Sequence, residues 1–322
     1  MFAAYVAKPD PDDPLAALEL GERPEPEVPP GWTTVAVRAA SLNHHDLFSL
    51  RGVGLPAERC PMILGCDGSG VDADGNEVII HGVIASPDWS GDETLDPKRS
   101  LLSERYQGTF AEKVAVPRRN LLPKPAELSF TEAACLGVAW LTAYRMLFVK
   151  SGLRPGQTVL IQGASGGVAT AAIALGRAAG FRVWVTGRSE AKRAAALSLG
   201  AHAAFESGAR LPERVDAVLE TVGEATWDHS LKALRPGGTI VICGATTGPN
   251  PPAALNRVFF LQLSVVGSTM GTRDELAALA SMLVSTGIRP TIGAEVPLPA
   301  AAEGFAAMDA GDTAGKIVFV AS

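Results

Sequence analysis

The stretch 159-VLIQGASGGVATAA-172 decides the fold. An apolar run, 158-TVLIQG-163, enters a turn holding Gly163, Gly166 and Gly167, and the helical stretch 167-GVATAAIALGRAAG-180 follows at once. Glycines allow a tight turn and close backbone approach, while a helix start offers free N–H groups and the positive end of its dipole. Strand, glycine turn and helix in that order make a cradle for the pyrophosphate of a dinucleotide. Gly163, Ser165, Gly166, Gly167 and Val168 are therefore candidate cofactor contacts. The third glycine usual in such loops is Ala169 here, still small enough for close helix–strand packing.

Working outward, strands and helices alternate through 181-FRVWVTG-187, 189-SEAKRAAALSLG-200, 215-VDAVLET-221, 238-GTIVICG-244 and 264-SVVGS-268. The strand runs are apolar throughout, as expected when both faces of a sheet are covered. This pattern predicts an α/β fold, a doubly wound parallel sheet of the Rossmann type. Ser129 and Glu132 form an S-x-x-E capping box that opens a helix before it. Up to about residue 120 the texture is different. Short strand-like runs such as 33-TTVAVRAA-40, 77-EVIIHGV-83 and 111-AEKVAVP-117 are punctuated by Pro- and Gly-rich turns, which suits a small β-barrel. The polar loop 86-SPDWSGDETLDPKRS-100 reads as solvated and mobile.

The end of the second strand bears on which dinucleotide is bound. A site for NAD places an acid there to accept from the ribose 2′-OH. Here 184-WVTGRSEAKR-193 carries no acid at the tip; Gly187 leads into Arg188, Ser189 and Lys192. Cations and a hydroxyl suit a 2′-phosphate through charge-assisted hydrogen bonds, so the expected cofactor is NADPH.

Composition excludes several classes. The chain has 322 residues, long enough for two domains, and is 47% hydrophobic and 19% charged, which is globular rather than disordered. Its formal net charge of −6 argues against a nucleic-acid surface. No signal-peptide pattern opens the chain, and no run of about 18 apolar residues exists to span a membrane. Cys60, Cys66, Cys135 and Cys243 form no C-x-x-C pair, so neither a disulfide framework nor a zinc knuckle is expected, and a reducing cytoplasm fits.

Along nearly its whole length the sequence resembles the medium-chain dehydrogenase/reductase superfamily, especially its quinone-oxidoreductase-like, zinc-free branch. The resemblance is carried by 41-SLNHHDLFSLRG-52, 62-MILGCDGSG-70, 108-GTFAEKVAVP-117, 139-AWLTAYRML-147, 160-LIQGASGGVA-169 and 313-TAGKIVFV-320, in family order and spacing. It implies a GroES-like catalytic domain over 1–121 and 268–322, with the NADPH-binding Rossmann domain inserted over 122–267 and the active site in the cleft. It also implies further cofactor contacts: Thr142; Thr221, Val222 and Gly223; Cys243, Gly244 and Ala245; Gly267, Ser268 and Thr269; and Lys316. A homodimer is the assembly it implies, with a small carbonyl or quinone as substrate.

Zinc relatives hold catalytic zinc with Cys, His and Cys. The matching positions here are Asn43, Cys66 and Val138, and only Cys66 ligates zinc well. Catalytic zinc needs three protein ligands and an open position. No metal is therefore expected; a Cys66–His44–Asp67 set is the alternative, because adjacent residues of an extended 43-NHHD-46 segment would point opposite ways. Without a metal, reduction of a quinone or conjugated carbonyl is easier than oxidation of an alcohol. Hydride reaches the substrate, charge develops on its oxygen, and a hydrogen-bond donor stabilises that charge. Asn43 and His44 are the candidate donors, with the nicotinamide ribose an equal alternative partner for Asn43, and Asp46 is the candidate to orient a neighbouring histidine. A zinc alcohol dehydrogenase with altered ligands and a non-catalytic NADPH-binding protein are the rival readings.

Overall fold

The computed structural model describes residues 1–311 and 314–321, which divide into two compact units, Met1–Ala139 with Met270–Ser322, and Trp140–Thr269. Thr313, in the last of the family-like stretches, lies outside the described residues. No helix among the described residues is long and apolar enough to cross a membrane.

The first unit is built on a seven-stranded sheet. Its order runs Leu121–Pro123, Glu77–Ile80, Gly68–Asp72, Trp32–Ser41, Lys316–Val320 and Ile292–Pro297, with Lys113–Pro117 also pairing on the long Trp32–Ser41 strand. Phe110, Phe305 and Phe319 pack edge and face at its centre, with Phe110 and Phe319 centroids 4.8 Å apart. Lys316–Val320 runs antiparallel to Trp32–Ser41, so the end of the chain completes the sheet begun at the start.

The first unit extends further along the chain than the 121/122 boundary expected. Helix Phe130–Ala134 opens at the Ser129–Glu132 capping box, with Ser129 Oγ accepting from Glu132 N at 3.1 Å and Glu132 accepting from Ser129 N at 2.8 Å. Ser69 Oγ then donates to Phe130 O at 2.6 Å and ties this helix to the sheet. The loop read as mobile is pinned. Asp96 accepts from Ser86 N and Lys98 N, and Arg119 donates to the carbonyls of Ala85, Ser86 and Pro87. Asp96 and Thr94 are buried, while Asp88, Ser90, Lys98 and Arg99 remain exposed.

The second unit is a six-stranded, all-parallel sheet. Its order is Ala203–Glu206, Arg182–Gly187, Thr158–Ile161, Val215–Glu220, Leu234–Ile242, Ser264–Gly267. Numbered along the chain this is 3-2-1-4-5-6, the doubly wound order with its switch point between Thr158–Ile161 and Val215–Glu220. The strand Ala203–Glu206 lacks the β-branched run that marks the others, which is why its sequence, AAFE, gives little signal. Gly176 shows why helix Gly167–Ala178 needs small residues: an added Cβ would lie 2.9 Å from Val183.

Candidate active site

In the second unit the predicted cofactor loops converge at the carboxyl ends of the strands. Gly163 adopts φ +87°, a left-handed conformation that glycine takes without strain. Gly166 caps helix Gly167–Ala178 with φ −69°, and nothing lies within 4 Å of where its side chain would start. Neither backbone strain nor crowding within the protein requires glycine there; its lack of a side chain leaves the helix N-terminus open to close approach of an anion. Ser165, Gly167 and Val168 flank it at the helix start. A Cβ on Gly187 would meet Ala164 of the same loop at 3.1 Å, and one on Gly223 would meet Ala245 Cα at 2.9 Å. A Cβ on Gly244 would meet Thr221 O at 3.1 Å, and one on Gly163 would meet Val222 at 3.8 Å. The residues present thus fit a dinucleotide.

Arg188 is exposed beyond the second strand. Ser189 serves as a helix cap, its Oγ accepting from Lys192 N at 3.3 Å. Lys192 is half-buried, and Arg193 is spent on Gly187 O at 2.8 Å. An acid unnoticed in the sequence stands opposite the tip, because Glu206 is the register partner of Gly187. Thr142 is buried in helix Leu141–Tyr144, and burial pushes the Cys243 thiol up to about 12, leaving it inert as a nucleophile. Ser268 N donates to Ile242 O, continuing the last strand between Gly267 and Thr269.

The first unit gathers the other candidates into a buried polar cluster. Asn43 caps helix His44–Leu50, so the 43-NHHD-46 segment opens a helix rather than staying extended. The Asn43 amide donates to Ser41 O at 3.1 Å and to Asp67 at 2.9 Å, and its Oδ1 accepts from Lys316 at 2.6 Å. Every polar atom of that side chain is engaged within the protein, so Asn43 keeps no free N–H for a substrate or a ribose in this arrangement. Asp46, completely buried, accepts from Asn43 N at 2.8 Å and Gly65 N at 3.0 Å. Burial raises its carboxyl to about 6. It braces two loops instead of orienting a histidine. Lys316, expected at the cofactor, is 3% exposed and donates to Leu42 O at 2.7 Å while lying 3.8 Å from Asp67. A buried ammonium held on three sides has no surface to offer a nucleotide.

The two histidines separate. His44 is exposed and has no hydrogen-bond partner among the described residues. Desolvation is the leading cause of its lowered pKa even so, followed by the positive charges of Lys316 and Arg51. His45 turns inward. Its Nε2 meets Glu104 at 3.1 Å and its Nδ1 meets Cys66 Sγ at 3.5 Å. Burial opposes its charge, but the hydrogen bonds to Cys66 Sγ and the Glu104 carboxylate outweigh burial and raise its pKa above 6.5. A raised histidine pKa contributes stability that is complete below 6.5 and lost as pH climbs through the folded value. Unfolding by guanidine therefore should show His45→Gln costing about 1.5–3 kcal/mol at pH 6, with the gap to wild type narrowing at pH 9. A gap that widens with pH would contradict the assignment.

This cluster also holds the described residues that could ligate a metal. Donor atoms of His45, Asp46 and Cys66 lie within 4.8 Å of one another, a set that replaces the Cys66–His44–Asp67 alternative. It does not fit catalytic zinc. Cys66 Sγ donates to Leu102 O at 3.0 Å, both Asp46 oxygens accept backbone N–H groups, and both His45 nitrogens are taken. Cys66 and Asp46 are 0% exposed, so no coordination position opens to a substrate. Cys66 is a packed thiol whose pKa burial pushes up.

Comparison with known proteins follows the same division. Residues 29–126 match the alcohol dehydrogenase GroES-like domain, and residues 167–285 match a family described as zinc-binding dehydrogenase. The sequence is 30% identical to a crotonyl-CoA reductase of Streptomyces collinus over 87% of this chain and 76% of that protein. It is 28% identical to a quinone oxidoreductase of Lama guanicoe, over 89% of this chain and 88% of that one. A solved NAD-dependent alcohol dehydrogenase is 34% identical and superposes with a TM-score of 0.90 over 100% of both chains. The 2-octenoyl-CoA carboxylase reductase CinF, solved with NADP and 2-octenoyl-CoA, is 26% identical with a TM-score of 0.91 over 99% of this chain and 87% of that one. With its six-stranded doubly wound sheet, its glycine cradle and these relatives, the chain belongs to the medium-chain dehydrogenase/reductase superfamily of oxidoreductases.

Proposed function

We propose that the protein is an NADPH-dependent, zinc-independent reductase of conjugated carbonyl compounds, either quinones or α,β-unsaturated carbonyls such as enoyl thioesters. The observation that carries this reading is the contrast between the two sets of candidate ligands. The Gly166 cradle is open to a dinucleotide, while the Cys66 cluster is closed to a catalytic metal. The crotonyl-CoA reductase and quinone oxidoreductase relatives support the substrate class.

Bound NADPH would supply a hydride. The cradle N–H groups of Gly166, Gly167 and Val168 would hold its pyrophosphate, and Arg188 with Lys192 would meet its 2′-phosphate. His44 is the one predicted donor whose ring nitrogens stay free among the described residues, so it takes the role of stabilising charge on the substrate oxygen. Its lowered pKa keeps the ring neutral at pH 7, so it donates a hydrogen bond and solvent supplies the proton.

The test is NADPH oxidation across quinones, enones and enoyl thioesters, with and without chelator. Turnover that survives chelation is expected; activity that vanishes with chelator and returns with zinc would favour the metal-dependent reading. In the same assay, Arg188→Ala with Lys192→Ala should lower the NADPH/NADH preference about tenfold or more, since two charge-assisted contacts are lost. An unchanged preference would remove the 2′-phosphate assignment.

Assembly as a homodimer has support in the second unit. The edge strand Ser264–Gly267 carries no charge or proline to block pairing, and beside it Phe259 and Phe260 are 67% and 79% exposed. The stretch from Val258 to Thr269 is uncharged, so a second copy meets no like charge. Phe260→Asp should shift sedimentation from dimer to monomer; a wild-type monomer at micromolar concentration would exclude the interface.

A further inference from the structure

One buried acid in the second unit has no counter-ion. Glu220 ends the strand Val215–Glu220 and is 0% exposed, yet no lysine or arginine pairs with it among the described residues. Its carboxylate is held by donors alone. Val222 N lies at 2.8 Å and Gly223 N at 3.1 Å from Oε1, Thr226 Oγ1 at 2.8 Å, and Ser230 Oγ at 2.5 Å from Oε2. An unpaired buried anion is costly, and an apolar residue would fill the space more cheaply.

The network continues beyond Glu220. Ser230 Oγ accepts from Gln162 Nε2 at 2.9 Å, Gln162 Oε1 accepts from Thr186 Oγ1 at 2.6 Å, and Thr186 Oγ1 accepts from Gly163 N at 3.4 Å. Gln162, Thr186 and Ser230 are all 0% exposed. An unbroken chain of hydrogen bonds therefore joins the glycine turn after the first strand to the Val222–Gly223 turn after the fourth. These two strands flank the switch point, where a doubly wound sheet binds its dinucleotide.

We propose that Glu220 is a positioning residue with an electrostatic effect on the same site: it locks the turns on either side of the switch point, and its negative charge, hydrogen-bonded but paired with no cation among the described residues, favours the oxidised, cationic nicotinamide over the reduced, neutral one. The hydrogen bonds account for the locking. The absence of a paired cation, in surroundings where charge is poorly screened, accounts for the bias. The proposal rests on the dinucleotide reading but not on the choice between NADP and NAD.

The test measures dissociation constants for NADP⁺ and NADPH, by calorimetry and nucleotide fluorescence, in wild type, Glu220→Gln and Ser230→Ala. A melting curve on each variant checks the fold. Glutamine keeps the shape and still accepts from Val222 N and Gly223 N, while the hydroxyls of Thr226 and Ser230 can turn to accept. Glu220→Gln is expected to weaken NADP⁺ about tenfold and NADPH less than threefold. Ser230→Ala keeps the charge but breaks the chain, and is expected to weaken both forms alike. Equal weakening by Glu220→Gln would leave only a structural role and overturn the electrostatic effect. Unchanged binding in both variants would overturn the proposal whole. If wild type prefers the non-phosphorylated pair, the comparison of NAD⁺ with NADH decides in the same way. Binding of neither pair would instead bring down the dinucleotide reading itself.

Discussion

Lys316→Met is expected to destabilise the first unit by about 3–5 kcal/mol, the cost of breaking a buried ion pair by removing one partner. The substitution takes away the donor to Leu42 O and Asn43 Oδ1 and leaves the Asp67 carboxylate, 0% exposed, without its nearby cation. Asp67 already has one oxygen with no hydrogen-bond partner, so the network has little reserve. Burial raises the Asp67 pKa and Lys316 opposes that rise, so without Lys316 the carboxyl holds its proton to higher pH. The loss should therefore shrink as pH falls and Asp67 is neutralised. Pairing Lys316→Met with Asp67→Asn should recover part of the stability. Denaturant unfolding of the three variants at pH 5 and pH 8 measures all of this, and a single-variant loss under about 1 kcal/mol would show that the pair contributes little.

His44→Ala is expected to lower kcat about 100-fold while leaving the melting temperature unchanged. Removing one donor to a developing oxyanion typically costs 10²–10³ in rate, whereas an exposed side chain with no hydrogen-bond partner among the described residues contributes within about 0.5 kcal/mol to stability. His44→Gln, which keeps an N–H donor, should restore part of the rate. Because the His44 pKa is lowered, its ring does not change charge above pH 7, and the His44-dependent part of kcat, wild type over His44→Gln, should be flat between pH 7 and pH 9. A kcat within threefold of wild type for His44→Ala would end the assignment, and the donor would have to be sought outside the 43–46 segment.

Much of the second unit was legible in the sequence because its signals are local. The run from Thr158 to Ala178 prints strand, turn and helix in order, and Gly163 stands where the backbone turns left-handed. The Ser129–Glu132 box is likewise a contact between residues three apart, and the structure makes both of its hydrogen bonds. The first unit was legible in outline through resemblance, but its polar chemistry was not. Asn43, Asp46 and Lys316 looked available because the partners that complete their bonding, Asp67 for Asn43, Gly65 for Asp46, and Leu42 and Asn43 for Lys316, lie far from them in sequence.

What the sequence by itself determined is the doubly wound sheet and the glycine-rich turn between its first strand and helix. These follow from apolar runs and glycine positions. What only the tertiary structure decided is which polar groups are free. Lys316 reaches Asn43 from the far end of the chain, Glu104 reaches His45 from another loop, and Gln162 reaches Ser230 across the sheet. Burial turns such long-range pairs into obligations, because a polar group withdrawn from water must be satisfied by whatever the fold brings beside it. Residue type cannot reveal that partner, so the choice of His44, exposed and without a hydrogen-bond partner among the described residues, over Asn43 came only once their neighbours had been placed.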